Sequence, residues 1–550
     1  MKRIPARPDI GHLKKQAKAL LALHRDGNPA ATARLRNALP AAFGKTDAAI
    51  AALPLRLHDA QSCVAREHGF ASWPDLQAFV LARRAQADDP AQAALQWLRQ
   101  VYAGDIAGGP GRARPAVAAR MLQDDPALPG EDPWLACAIG DEAGVRRAIA
   151  HDAEWVHRAG GPLQLPPLVA VTHSSLGLLP AFRERLHGCA RLLLEAGASP
   201  DQSVDDRGAF AATDGAPRGR LSALYGAAGQ ARDPALTALL LAAGADPNDG
   251  ESLYHSLERP ACTALLLAAG ARVTGSNALY RALDLDDVEP LRLLLAHGGD
   301  ANEKPPGPPA SHWGSPLLWA LRRRRSPAHV AALLAAGADA STGTPDGTPA
   351  HVVALRFGLT EVAEMLRAAQ DDRATLPADE AFIAACARAD GTAARAVLAR
   401  HPGLVGTLSA AQLALLPELA AQGCGDAVRL MVTLGWPLEV RAGDWSASAL
   451  NHAVFRGDAS LARFLLDHGA DWRTPHGFGD NVVGTLSWAS LNEPAAGGDW
   501  VGCAEALLAH GVPPARPDPQ RVDGVLVGGR AYAFADEVAD RLLAGPPPTR

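Results

Sequence analysis

Cysteine and long apolar runs are both scarce in this 550-residue sequence. Its seven cysteines are odd in number and scattered, and none is spaced as C-x-x-C, which argues against a disulfide framework and against a zinc site. The longest apolar runs, such as LTALLLAAGA at 236–245, are too short to cross a bilayer, and no apolar segment follows the basic start. These absences predict a cytoplasmic protein, with export without a cleavable signal as the open alternative.

Catalytic motifs are missing as well: the sequence contains no H-E-x-x-H, G-x-S-x-G, P-loop or G-x-G-x-x-G pattern. Cys63 has histidines nearby at 58 and 68, but five residues along a helix place neither of them on its face. The acidic residues at 284–289 lack the glycine and spacing of a calcium loop, so we expect a solvated turn there. We therefore predict a non-enzyme with no catalytic residues, cofactor, metal or small-molecule substrate; an unrecognised enzyme or effector is the least favoured alternative.

Aromatic residues are few, and lysine is nearly confined to the N-terminal segment. Aromatics are 5% of the chain while hydrophobic residues reach 48%, so the core is mainly Ala, Leu and Val, which suits thin, closely stacked helices. Residues 1–86 hold 14 basic against 6 acidic residues, a net charge of +8, and five of the six lysines. This asymmetry indicates either a nucleic-acid or anionic membrane contact or a solvated helix face.

One phrase recurs along the chain, a helix end followed by glycine. It reads RLLLEAGASPD at 191–201, ALLLAAGADPN at 238–248, ALLLAAGARVT at 264–274, RLLLAHGGDAN at 292–302, ALLAAGADAST at 332–342, RFLLDHGADWR at 463–473 and EALLAHGVPPA at 505–515. We expect a left-handed conformation, which costs other residues roughly 1–2 kcal/mol, at Gly197, Gly244, Gly270, Gly298, Gly337, Gly435, Gly469 and Gly511. The separation of 34 residues from Gly435 to Gly469 matches a repeat period of about 33.

A second phrase opens the first helix of each unit. It reads SALYGA at 222, ESLYHS at 251, NALYRA at 277, SPLLWA at 315, TPAHVV at 348, SALNHA at 448 and TLSWAS at 485. TPAHVV and its neighbours resemble the ankyrin pattern T-P-L-H-x-A. On these phrases, residues 132–543 resemble an ankyrin array of roughly eleven helix pairs, some of them degenerate.

The N-terminal segment carries a resemblance of its own. HLKKQAKALL, LHDAQSCVAREHGFASW and PDLQAFV are similar to the helical N-terminal segment of a group of bacterial ankyrin-repeat proteins, and ACAIGDEAGVRRAIA and AFADEVADRLL resemble the same group. The resemblance implies the ankyrin fold and protein binding as the family's usual role. It implies no shared enzyme activity.

The expected fold is all-α, an ankyrin-repeat solenoid of stacked helix pairs with short hairpin loops, preceded by a small helical domain. We divide the chain into a basic helical domain at 1–86, a helical linker or capping segment at 87–131, an array with long loop insertions at 132–529, and a capping helix with a Pro-rich tail at 530–550. The first domain is expected to contain helices over 10–26 and 57–68 and from Ser72 onward. The 10–26 helix has Asp9 as N-cap and Gly27 as its stop.

Equivalent positions in the repeats separate packing from binding. Cys189, Cys262 and Cys503 each precede the terminal glycine of their unit by eight residues, so we expect buried small side chains. Tyr225, Tyr254 and Tyr280 stand where the ankyrin His stands, which implies hydrogen bonding within the repeat turn. The residue after this column points roughly 200° away from the stacking Leu, toward the concave surface.

Variable residues at that concave position, together with tryptophans in adjoining loops, are the candidate protein-binding residues, since Trp and Arg are common binding anchors. They are His255, Arg281, Trp313, Trp319, Trp445, His452 and Trp488. We expect these side chains to be exposed and to contribute little to packing. The predicted function is non-catalytic recognition of a protein partner by a monomer, with nucleic acid or a membrane bound only through 1–86.

Overall fold

Most of the chain is helical, and its strands are short. The structure is a computed structural model that describes residues 2, 4–5, 8–88, 92–108, 112–208, 219–304, 314–370, 375–492, 494–518 and 524–545. Within these ranges, no helix combines the length and the apolar character needed to cross a bilayer. The chain divides into two compact units, Met1–Ala278 and Leu279–Arg550.

The first eight helices precede the repeated phrases. They are α1 (Ile10–Arg25), α2 (Pro29–Ala38), α3 (Asp47–Ala51), α4 (Leu57–Glu67), α5 (Trp73–Asp88), α6 (Ala93–Val101), α7 (Gly104–Ala107) and α8 (Pro115–Asp124). α1 begins as expected, because the Asp9 carboxylate accepts the His12 N–H at 2.8 Å, and Gly27 follows it at a φ of 69°. The apolar face of α1 is buried, and α1 packs against α4. The sequence patterns missed α2 and α3, which are too short for a clear helical period.

Helix pairs follow in the rest of the first unit. They are α9 (Pro133–Ile139), α10 (Glu142–His151), α11 (Pro167–Thr172), α12 (Pro180–Glu195), α13 (Ala223–Tyr225), α14 (Pro234–Ala242), α15 (Ser252–Ser256) and α16 (Pro260–Ala268). α13 continues as a π-helical turn over Gly226–Gln230. α9 packs on α11 and α10 packs on α12, so the first and second helices of these pairs form two separate layers.

The second unit repeats this arrangement after α17 (Ala278–Ala282). Its further helices are α18 (Glu289–Ala296), α19 (Pro316–Arg322), α20 (Pro327–Ala335), α21 (Ala350–Arg356), α22 (Thr360–Gln370), α23 (Ala378–Ala387), α24 (Gly391–Arg400), α25 (Ala410–Leu413), α26 (Leu415–Ala421), α27 (Gly425–Thr433), α28 (Ala449–Phe455), α29 (Ala459–Asp467), α30 (Val482–Asn492), α31 (Trp500–Ala509) and α32 (Asp536–Leu543). One layer contains α19, α21 and α23, followed by α26, α28 and α30, and the other contains α18, α20 and α22, followed by α27, α29 and α31.

The recurring glycines end the second helices in the left-handed conformation, as predicted. All eight have φ between 84° and 95°. At Gly244 and Gly435, for example, a Cβ atom would meet nothing within 4 Å. The backbone conformation alone therefore favours glycine at these positions.

Asparagine links successive units beside these glycines. The Asn248 side chain donates to the Gly270 carbonyl at 3.5 Å and accepts the Arg272 N–H at 2.9 Å. Asn302 makes the same pair of bonds to the Gly337 carbonyl at 2.8 Å and the Asp339 N–H at 2.7 Å. The same residue type thus satisfies one donor and one acceptor of the next turn in both places.

Short antiparallel strands occupy three places in the described chain. β1 (Ser203–Asp205) pairs with β2 (Arg220–Ser222), and β3 (Arg441–Ala442) pairs with β4 (Ala447–Ser448). β5 (Arg516–Pro517), β6 (Val525–Val527) and β7 (Arg530–Tyr532) form a three-stranded sheet with Val525 opposite Tyr532. This sheet was not predicted, because strands of two or three residues show no alternating pattern. The capping helix expected at 530–550 begins only at Asp536, after β7.

Candidate functional site

A cavity of about 280 Å³ lies in the second unit. Its walls come from the ends of α19, α21, α26 and α28 and from the turn between β3 and β4. The aromatic side chains among its lining residues are Trp319, Phe357, Trp445, His452 and Phe455. The cavity is therefore bounded by rings from four separate segments of the chain.

Side chains from the helix turns show how these segments come together. Arg324, in the turn after α19, donates through Nε to the Phe357 carbonyl at 3.0 Å and through Nη1 to the Cys424 sulfur at 2.8 Å. Arg324 and Cys424 are 100 residues apart in sequence. The helix ends that line the cavity thus converge by direct contact within this unit.

Trp319 forms one wall together with charged neighbours. The Arg323 guanidinium lies over the Trp319 ring at 4.2 Å and pairs with the Asp284 carboxylate at 2.9 Å. Burial raises the pKa of Asp284, and Arg323 and Trp319 oppose this by favouring the charged form. The turn expected at 284–289 lies between α17 and the start of α18, and Asp284 in it is half-buried. Asp286 and Asp287 are exposed.

The β3–β4 turn positions Trp445 above α28. Ser446 adopts the left-handed region with a φ of 47°, and the Trp445 carbonyl accepts the Gly477 N–H at 2.7 Å. The Trp445 ring meets the His452 ring edge to face, with their centroids 4.9 Å apart. The turn thereby holds an aromatic side chain over the cavity rather than in the helix layers.

His452 is buried beside Trp445 and is only 5% exposed. Its ring hydrogen-bonds to the Ala442 carbonyl. Its Nε2 has no hydrogen-bond partner among the described residues, so Nδ1 is the donating nitrogen. Burial lowers the pKa of His452 to about 4, and the ring is therefore neutral at pH 7 with a bare acceptor at Nε2.

Rings continue from the cavity onto the surface. Phe455 contacts Trp445 at 5.6 Å and stacks on Trp488 at 5.4 Å with an angle of 8° between the ring planes. His476 contacts Trp445 at 5.3 Å and Phe478 at 6.0 Å. Trp488 is 47% exposed and Phe478 is 78% exposed. We call these five rings the aromatic strip, and the cavity and strip together the inner groove.

The structure brings three of the seven sequence-predicted residues to the cavity, namely Trp319, Trp445 and His452. Trp488 joins them through Phe455. Two expectations about exposure were wrong, since Trp319 is 4% and His452 5% exposed. The direction of a side chain on its own helix does not show what neighbouring segments cover, and the convergence of the helix ends buries both side chains.

The other predicted residues lie elsewhere. His255 belongs to the first unit, where it pairs with Glu251 at 3.2 Å and its ring contacts Tyr225 at 5.1 Å. Arg281 is half-buried on α17 and does not line the cavity. Trp313 lies outside the described residues.

Several groove residues were missed by the sequence argument. Phe357 directly follows α21 and Phe455 is the last residue of α28, so both lie outside the column of positions that was compared. Phe478 lies in a lengthened loop. Arg322 and Arg323 had a visible signal, the run RRRR at 322–325 directly after a Trp-containing helix.

Cys63 lies between two histidines in the sequence, His58 and His68. Cys63 is buried, and burial raises its pKa to about 11, which disfavours the reactive thiolate. No group of three or more His, Cys, Asp or Glu side chains able to hold a metal ion occurs in the part of the chain that the structure describes.

Part of the basic charge of residues 1–86 is paired within that segment. Glu67 accepts both Lys2 and Arg34 at 2.7 Å, and Arg84 pairs with Asp9 at 2.7 Å. Lys15 is exposed on α1. These pairs reduce the charge that the segment presents to an anionic partner.

Comparison with known proteins does not identify a family for this chain. The sequence matches no family model, and no curated protein matches it.

Proposed function

We propose that this protein is a non-catalytic recognition module whose inner groove binds a segment of a partner protein. The observation that carries the proposal is the convergence of Trp319, Trp445 and His452, three residues chosen from sequence, around one cavity of about 280 Å³. The strip of rings leading from the cavity to the exposed Phe478 extends the surface available to a ligand. Exposed aromatic patches of this kind are typical of interaction sites.

The proposal includes an ankyrin-type array as the scaffold. It rests on the T-P-L-H-like phrases, the left-handed glycines, the two-layered stacking of helix pairs and the repeated Asn bonds between units. The seven cysteines are all free, which agrees with a reducing compartment and supports a cytoplasmic location. Binding of nucleic acid or a membrane through 1–86 is the weaker alternative, because several of its cations are paired internally.

Position-specific photo-crosslinking in the native cell tests the groove. Benzoylphenylalanine replaces Phe478 in the full chain, and the same group at Phe43, also exposed but in the first unit, is the control. We expect discrete adducts from position 478 that are absent from position 43 and are lost when Trp445→Ala is added. Identical adducts from both positions, or adducts unaffected by Trp445→Ala, contradict recognition through this groove.

A further inference from the structure

Arginine side chains lie beside the aromatic rings of the cavity and add cationic groups to its walls. Arg322, Arg323 and Arg456 line it together with two acids, Glu418 and Asp444. This local excess of cations contrasts with the formal charge of −6 for the whole chain. The cavity therefore offers ring faces and guanidinium groups to the same ligand.

The three guanidinium groups differ in the contacts they make within the protein. Arg323 pairs with Asp284 at 2.9 Å, and Arg456 donates to the Ala421 carbonyl at 3.2 Å. The Arg322 side chain makes no ion pair or hydrogen bond with any residue that the structure describes. A half-buried guanidinium without an acceptor fits a carboxylate, which it can bind through two parallel hydrogen bonds.

We propose that the inner groove takes a peptide segment in which a bulky apolar side chain lies next to a carboxylate. The apolar side chain enters the cavity between Trp319, Phe357 and Trp445, and the carboxylate pairs with Arg322. This inference rests on the proposed function and specifies the chemistry of its ligand. Charge complementarity at Arg322 and the ring surfaces beside it are the two features that select this occupant.

His452 forms part of the cavity wall. Its Nε2 lacks a partner among the described residues and lies close to Gly443, since a Cβ atom built on that glycine would be 3.9 Å away. Both residues line the cavity. The Nε2 atom is itself covered, so His452 shapes the cavity wall and offers no open acceptor to a ligand.

The test uses peptides displayed on phage and selected on the full-length protein. Two libraries of random dodecapeptides are used, because a side chain or a C-terminus can supply the carboxylate. In the first, the peptide lies within the displayed chain; in the second, it ends in a free carboxylate. We expect enrichment of an aromatic or large aliphatic residue adjacent to Asp or Glu in the first library, or adjacent to the C-terminus in the second.

Selected peptides are then synthesised, labelled and titrated by fluorescence anisotropy. We expect the affinity to fall about tenfold or more when the peptide carboxylate is replaced by its amide. The affinity of Arg322→Gln for the acidic peptide should fall by a similar factor. For Arg322→Gln, the ratio of the affinity for the carboxylate peptide to the affinity for the amide peptide should fall to near one. This is the result that a double-mutant cycle requires when Arg322 and the carboxylate interact directly. Arg463→Gln, an exposed arginine on α29, is the matched control and should change neither value.

The outcomes separate this inference from the proposed function. Enriched peptides that have neither an acidic side chain nor a free C-terminus beside the apolar residue overturn the ligand chemistry, and so does a carboxylate preference that survives in Arg322→Gln. Groove recognition still stands in these cases if Trp488→Ser weakens binding. Peptides that bind Arg322→Gln and Trp488→Ser as tightly as the parent overturn both. No enrichment in either library also overturns both.

Discussion

At the scale of single residues, burial decides what each cysteine and histidine does. Cys189, Cys262 and Cys503 are fully buried, as their shared repeat position predicted, whereas Cys424 is half-buried. His173 and His452 are buried and held neutral, because burial lowers the pKa of each to about 4. These side chains therefore act first through packing and desolvation.

The cysteine position makes a direct prediction about reactivity. Thiol reagents should label Cys189, Cys262 and Cys503 slowly in the native protein and rapidly in denaturant, since burial raises the pKa of Cys189 to about 12. Cys424 should react first, and mass spectrometry of labelled peptides gives the order. Cys503→Ser should destabilise the protein by about 1–3 kcal/mol, the cost of burying a poorly paired hydroxyl. Fast native labelling of all three would refute their assignment to the core.

His452 predicts a dependence of stability on pH. Its pKa is about 4 in the folded protein against an ordinary value of 6.5, so the unfolded chain binds more protons between these limits. Stability contributed by neutral His452 is complete above pH 6.5 and is lost as the pH falls toward 4. Thermal unfolding of His452→Gln should show a smaller drop between about pH 7 and pH 5 than the parent, whereas His468→Gln, at an exposed position, should behave as the parent.

At the scale of elements, glycine ends the second helices, and at two places an asparagine hydrogen-bonds to the turn of the next unit. The eight terminal glycines share one backbone conformation, and Asn248 and Asn302 make equivalent bonds across the units. Stability in such arrays is approximately a sum of unit and nearest-interface contributions. A local change should therefore affect mainly its own unit and the neighbours in contact.

Gly435→Val tests the conformational requirement without a steric clash. Gly435 has a φ of 94° and open space around its Cβ position, so the cost is backbone strain of about 1–2 kcal/mol plus the valine's own preference against this region. Gly406→Val is the matched control, because Gly406 also has open space but no positive φ. Equal melting curves for the two variants would show that the left-handed conformation carries no cost at Gly435.

At the scale of the whole molecule, the second unit combines layers of packed helices with the surface that we propose as the ligand site. Trp319 and Trp488 illustrate the two roles, since the first is buried in the cavity wall and the second is half-exposed on the strip. The sequence assigned both to one binding surface. Because their burial differs, Trp319 is assigned to packing and to the cavity wall, and Trp488 to the proposed contact surface.

Alanine substitutions should separate these roles. Trp319→Ala should lower stability by about 3–5 kcal/mol, the range for removing a large buried side chain. Trp488→Ala should change stability by about 1 kcal/mol or less, because it loses mainly its stacking on Phe455, while weakening binding of selected peptides by about 2 kcal/mol or more. Melting temperatures and anisotropy titrations give both values. A large stability loss with unchanged affinity in Trp488→Ala would identify that residue as packing.

The sequence by itself determined the local features of this protein. The N-cap Asp9, the left-handed glycines and the buried cysteine position all follow from backbone conformation and helical period, which act over a few residues. It also determined the helical character of the chain. It did not reveal α2, α3 or the C-terminal sheet, because elements so short carry little periodic signal.

Only the tertiary structure decided which residues come together at the proposed binding surface. Trp319, Trp445 and His452 share a cavity because helix ends far apart in sequence converge, as the contact of Arg324 with Cys424 shows. That convergence also buries two side chains that a single-helix projection places on the surface, and it leaves Arg322 at the cavity without an acceptor among the described residues. Burial and partnering depend on neighbours from other segments, and no local pattern in the sequence encodes them.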